Sequence, residues 1–347
     1  MPLGSDIRSP RLPRHLPRTG LLSLLRFQRD YRPAASQGFL SLSATVRIPS
    51  SVAITPTLTR SELEGHESNQ VGGTHSAAVS AFDGARAALA AHWPEYGMEA
   101  AELGIFMVSA CIVTVLLQHP GSPVHSSFPD PFLRRALTGL AMAATAVALI
   151  FSPWGKQSGA HFNPAVTLTF LRLKKIQPWD ALFYVLAQFV GGVLGVVVAA
   201  LVLGSAIAHP SVRYAATTPD AGVKAAFLAE VVISFLLFLT VLLVSNHKVL
   251  NRYTGLFSGA LVAAYITFES PLSGMSMNPA RTLGSALPAG LFEGLWVYFL
   301  APPIGMLLAA ELYIRLRSAK AVFCAKYHHQ NGKRCIFNCR FNELQRQ

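Results

Sequence analysis

Charge is scarce in this chain. Only 13% of its 347 residues are Asp, Glu, Lys or Arg, against roughly a quarter in an ordinary soluble domain. With 52% apolar residues, concentrated between Tyr96 and Arg315, it is not the sequence of a large soluble domain. Acidic residues are the scarcer class: 17 Asp and Glu stand against 29 Lys and Arg, for a formal net charge of +12. That excess does not indicate nucleic acid. The basic residues sit in the N-terminal stretch, the short loops and the C-terminal tail, which is what membrane orientation produces. Also missing are a nucleophile–base pair and a phosphate-cradling Gly loop, so the chain reads as no enzyme and no cofactor is implied. Lysine is absent from residues 1–60, where only Asp6 and Asp30 are acidic, and no apolar h-region of signal-peptide length occurs there. Cysteine is limited to four. Cys111 falls in an apolar stretch as a small buried side chain, and the other three lie in the tail.

What remains is a polytopic membrane protein whose first partner is the lipid bilayer. A spanning helix needs about 20 apolar residues, and six stretches qualify or nearly so: 97–117, 136–151, 181–203, 225–244, 253–268 and 295–313. The second and fifth are short because each runs into one copy of the same tripeptide. Asn163-Pro164-Ala165 lies in SGAHFNPAVTLTF, and Asn278-Pro279-Ala280 lies in SGMSMNPARTLGS. Segments 163–173 and 278–287 are too short to span and read as half-helices that enter the membrane and stop. Such interruptions are tolerated where they are buried in protein or line a wet cavity. Three spans plus a half-helix, used twice, give an inverted repeat, because an odd number of spans per half reverses orientation. The expected fold is therefore all-α: six transmembrane helices plus two re-entrant half-helices, with one site built from both halves.

Loop charge orients it. Lys156, Arg172, Lys174, Lys175, His247, Lys248, Arg252 and the tail basics from Arg315 onward fall on one side, which the positive-inside rule makes cytoplasmic. Both termini are then cytoplasmic. Arg134 and Arg135 are exceptions on the outer side, partly offset by Asp130. Three regions follow: an extension over 1–94, a channel-forming region over 95–316 and a basic tail over 317–347. The Arg- and Ser-rich, acid-poor extension suits either an organelle transit segment or a disordered cytoplasmic tail. The first places the protein in an organelle membrane, the second in the plasma membrane.

The doubled tripeptide has a physical logic. Pro at the first helical position costs nothing, because its missing N–H would be unpaired there. Asn before it caps the helix through its side-chain oxygen, which turns its NH2 toward the lumen. Two such amides meeting near the midplane offer donors to a passing oxygen. Both half-helices also aim positive dipole ends at that point, a device that excludes cations and protons. Arg281 follows the second copy at once, and an intramembrane Arg is a functional residue by default.

At these residues the chain resembles the aquaporins, the major intrinsic protein family. HFNPAVT and MNPART carry the likeness, AFLAEVVISFLLF resembles the family's fourth-span signature, and the similarity covers residues 97–316. It implies one pore per subunit and a homotetramer. It also implies pore asparagines at Asn163 and Asn278 and a filter Arg at Arg281. Glu230 becomes the buried Glu of span four that holds loop backbone, with Glu99 or Glu102 as its counterpart in span one. His161 becomes the residue whose carbonyl lines the inner pore. The remaining filter positions fall on Ile266, where water-selective members carry His, on Met275, and on Gly139 or Ala143 in span two. Thr282 after the Arg, and Tyr298-Phe299 in span six, match water channels rather than glycerol conductors.

The function this implies is passive single-file conduction of water with exclusion of ions and protons. Apolar Ile266 keeps open a broader range of neutral solutes: glycerol, urea, ammonia or hydrogen peroxide. An ion-coupled secondary transporter shares the inverted repeat but would need ionisable groups at the midplane. The tail segment CAKYHHQNGKRCIFNC gathers Cys324, His328, His329, Cys335 and Cys339. These are zinc-ligand types in no standard spacing, so the tail reads either as a plain basic tail or as a metal- or redox-sensitive gate.

Overall fold

The computed structural model describes residues 60–346, with side chains described from Asp83 onward. The reading of the N-terminal extension as a transit segment or tail lies largely outside the described residues. Glu64–Gln347 forms one compact unit.

Eight helices organise it: α1 (Arg60–Gln118), α2 (Pro131–Phe151), α3 (Pro164–Arg172), α4 (Pro178–Leu203), α5 (Val223–Ser245), α6 (Thr254–Phe268), α7 (Pro279–Ala289) and α8 (Leu295–Arg317). Five apolar helical stretches among the described residues are long enough to cross a membrane: Asp83–Gln118, Pro131–Phe151, Pro178–Ala208, Val223–Ser245 and Leu295–Arg317. The first begins earlier than the sequence suggests, because the helix continues through Pro94. The remaining expected span, α6, has 15 residues and is prolonged by a short helix at Ser270–Ser273. α3 and α7 have 9 and 11 residues. At 1.5 Å per residue they are about 14 and 16 Å long, half the thickness of a bilayer core.

Packing follows the inverted repeat. α5 packs on α8, and α2 packs on α6. Each half-helix leans on the last helix of the other repeat, α3 on α8 and α7 on α4. α1 meets α4 through glycines. A Cβ built on Gly195 would lie 2.4 Å from Gly104 O, so the two backbones are in direct contact. Outward, Leu182, Leu186, Val190, Leu194 and Val198 of α4 form an exposed stripe at helical spacing, and Trp296, Leu300, Ile304, Leu308 and Leu312 do the same on α8. Apolar faces this long need lipid or another apolar surface against them. The main core gathers around the two interrupted loops. It also takes in Val322, Cys324, Ala325, Tyr327 and Phe337 of the tail.

Candidate functional site

Each loop that leads into a half-helix is built from the same parts. Asn163 Oδ1 accepts from Ala165 N at 2.9 Å, and Asn278 Oδ1 accepts from Ala280 N and Arg281 N at 3.1 and 3.2 Å. Pro164 and Pro279 open the helices they cap. The side-chain nitrogens cross between loops: Asn163 Nδ2 donates to Met277 O at 2.7 Å, and Asn278 Nδ2 donates to Phe162 O at 2.8 Å. One N–H of each amide therefore ties the two loops together, leaving the second for the cavity that both asparagines line.

Backbone shape is repeated as well. Gly159 and Gly274 have φ of 100° and 76°, Ala160 and Met275 58° and 53°, Phe162 and Met277 28° and 54°. Positive φ at non-glycine residues is costly and persists where the surroundings hold it. Here carboxylates hold it. Glu230 accepts from Ser276 N and Met277 N, both at 2.7 Å, and from Ser273 Oγ at 2.8 Å. In the first repeat that work is divided. Glu99 accepts from His161 N, Phe162 N and Gln188 Nε2, while Glu102 accepts from Ser158 Oγ. Of the two span-one candidates, Glu99 is thus the counterpart of Glu230 at the loop backbone. Tyr184 OH donates to Ser158 O, and Tyr298 OH donates to Ser273 O. The two serines and Tyr184 were missed from sequence and Tyr298 was read only as a solute marker, although Ser-Gly stands five residues before both Asn-Pro-Ala copies and could have pointed to the serines.

A cavity of ≈ 270 Å³ runs past these loops. Its polar marks are Asn163, Asn278, Arg281 and His161, with Gln118, Arg135 and Arg213 toward one end; Phe106, Val262, Ile266, Met275 and Met277 are among the apolar walls. Arg281 Nη1 is buried without a hydrogen-bond partner in the protein. Two expectations need correction. Neither Gly139 nor Ala143 lines the cavity; α2 contributes Arg135, Thr138, Met142, Ala146 and Ile150 instead. A Cβ on Gly139 would fall 2.6 Å from Ala263 O, so that residue serves the α2–α6 contact. The short helix Pro153–Ser158 takes up the extra residues of SPWGKQSGAH and shifts the register by which span two was counted. Tyr298 and Phe299 also stand outside the lining: Tyr298 braces Ser273 and Phe299 stacks on Phe189, so they say nothing about the solute.

At the other end the tail forms part of the wall. Tyr327 lines the cavity, and its N–H donates to Gly159 O at 3.1 Å. His161 Nε2 donates to Ala325 O at 2.9 Å, and its Nδ1 meets Thr167 Oγ1 at 3.1 Å. Its side chain is thus spent on tail and half-helix, a role the sequence did not suggest. Phe337 stacks on the His161 ring at 5.4 Å. Lys326 is buried, its Nζ donating to Lys156 O and Arg334 O; desolvation holds its pKa below the ordinary lysine range. Arg334 grips Glu95 with both Nε and Nη2. Of the five metal-type residues, Cys324, His329, Cys335 and Cys339 converge. His328 does not join them; its ring packs edge-on to Phe151.

A model of the major intrinsic protein family matches residues 98–313. The chain is 36% identical over 222 residues to aquaporin NIP2-2 of Zea mays, a match covering 63% of this chain and 74% of that protein. It is 39% identical over 194 residues to aquaporin NIP3-1 of Zea mays, covering 54% and 61%. Among solved structures, the X-ray structure of the aquaglyceroporin from Plasmodium falciparum superposes with a TM-score of 0.53 at 18% identity. That match covers 66% of this chain and 98% of the other and is a likeness of fold.

Proposed function

The chain belongs to the major intrinsic protein family of membrane channels, and from that premise we propose that its cavity is an ion-excluding path for water and small uncharged solutes together. One observation carries the choice over a strict water pore. Beside Arg281, whose Nη1 is buried and unpartnered, the other filter positions are Ile266, Met275 and, on α2, Met142. All line the cavity, and none offers a strong polar contact. An apolar neck discriminates weakly among neutral solutes, by about 1–3 kcal/mol per missing contact. Asn163 and Asn278 supply donors at the crossing of the half-helices.

Ion coupling has little to work with. Among the described residues, no acidic side chain lines the cavity, and Glu99 and Glu230 are committed to loop N–H groups. Lys156, Lys174, Lys175 and the tail gather at one end, so that end is cytoplasmic by the positive-inside rule. The exposed stripes of α4 and α8 suit lipid and the other subunits of a homotetramer. Stopped-flow light scattering on proteoliposomes tests the reading. Vesicles should shrink fast in sucrose and re-swell in glycerol or urea. Fast shrinkage with no re-swelling returns the protein to strict water conduction, and uphill uptake driven by a proton gradient removes the channel reading.

A further inference from the structure

The tail poses a question that conduction does not answer. Residues 322–340 contain no helix or strand, yet Val322, Phe323, Cys324, Ala325, Lys326, Tyr327 and Phe337 are buried. An irregular segment of this length is held in one shape by a cross-link more readily than by its own core. Four ligand-type side chains spread along it meet at one place. One ligand atom from each of Cys324, His329, Cys335 and Cys339 lies within 4.8 Å of the others. Cys324 Sγ is 3.6 Å from Cys335 Sγ, and Cys339 Sγ is 3.0 Å from His329 Nε2. A disulfide would bring sulfurs to about 2.05 Å; these cysteines are free. Around zinc, with Zn–S about 2.3 Å and Zn–N about 2.0 Å, tetrahedral ligand atoms stand roughly 3.5–3.8 Å apart. The cluster reaches that geometry with small side-chain shifts. His329 is oriented for it by stacking on Phe341 at 4.2 Å.

We propose that residues 324–339 form a Cys3His zinc knot that holds the tail as a cap over the cytoplasmic mouth of the channel. Three cysteines and one histidine are a standard composition for a closed structural zinc site, and binding energy at such a site is folding energy for the segment that carries it. The knot presents three groups to the mouth. Ala325 O accepts a hydrogen bond from His161 Nε2, Tyr327 fills part of the cavity wall, and Phe337 covers the His161 ring and Gly159. With the zinc removed, those groups are left to scattered hydrogen bonds such as Lys326 to Lys156 O and Arg334 to Glu95, too few to keep an irregular segment seated, and the mouth opens.

The cap rests on the cavity being the conducting path, so its test includes two readouts that need no conduction. Full-length protein purified with zinc ions present should hold one zinc per chain by elemental analysis, as four ligands require. His329→Ala and Cys335→Ser should lose that zinc, while His328→Ala should keep it. Stripping the metal with a chelator should expose Lys326 to trypsin and raise the water permeability of proteoliposomes several-fold. No zinc in the unmodified protein overturns the knot. Zinc that can be stripped with Lys326 still protected and permeability unchanged overturns the cap. If zinc and trypsin behave as stated but water passes in neither state, the knot stands and the conduction reading falls.

Discussion

Ile266 is the residue at which the proposed solute range can be tested. It sits in the last turn of α6 and lines the cavity, packed in the same apolar cluster as Met142. An imidazole there would add a donor and narrow the space beside Arg281. Ile266→His should therefore leave water permeability largely intact and cut glycerol or urea permeability by about tenfold, the value of one polar contact of 1–3 kcal/mol. Re-swelling rates in proteoliposomes read the change directly, and unchanged solute rates would remove Ile266 from the filter. The same scale explains why polar support lies so close by. A buried loop N–H left without an acceptor costs about 1–3 kcal/mol, and Glu230 alone takes two of them.

Between elements, glycine decides how near the backbones come. α1 and α4 touch where Gly104 faces Gly191 and Gly195, and α5 and α8 touch where Gly305 faces Val231. Small residues at such contacts are the usual device of membrane helices. Gly195→Leu forces atoms into space already held by Gly104, with a Cβ 2.4 Å from its carbonyl oxygen. Overpacking of this kind costs about 1–3 kcal/mol and more where backbone must move. The variant should lose thermal stability in detergent, read as a lower melting temperature and a broadened size-exclusion peak; an unchanged melting temperature would mean the contact is not made. Element by element, legibility in the sequence followed pattern. The apolar runs and the two Pro-opened half-helices were readable because hydropathy and the N-cap signal mark them. The lumen face of α2 was not, since Pro153–Ser158 breaks the count between Met142 and Asn163. Nor was the fold of the tail, which has no periodicity: its shape comes from contacts between residues far apart, such as Arg334 with Glu95 and Ala325 with His161.

Residues 98–313 fold as two repeats closed on each other, and the proposed exclusion of ions would belong to that closure. α3 leans on α8 and α7 on α4, so each half-helix is positioned by the opposite repeat. Their N-termini meet where Asn163 donates to Met277 O and Asn278 donates to Phe162 O. Each helix end carries about half a positive charge, and the two together approach one unit charge facing any cation that arrives desolvated. One carboxylate at this place would offset that charge. It would also lack the N–H that ties the loops and would turn an oxygen toward a carbonyl. Asn163→Asp and Asn278→Asp should each admit cations, raising bilayer currents and proton flux into pyranine-loaded vesicles well above those of the unmodified protein. Because either substitution cancels the shared field, the two should act to similar degrees despite lying in different repeats. A leak from one alone would assign the barrier to a single loop, and water flow without current in both would mean that something other than the paired dipoles keeps ions out.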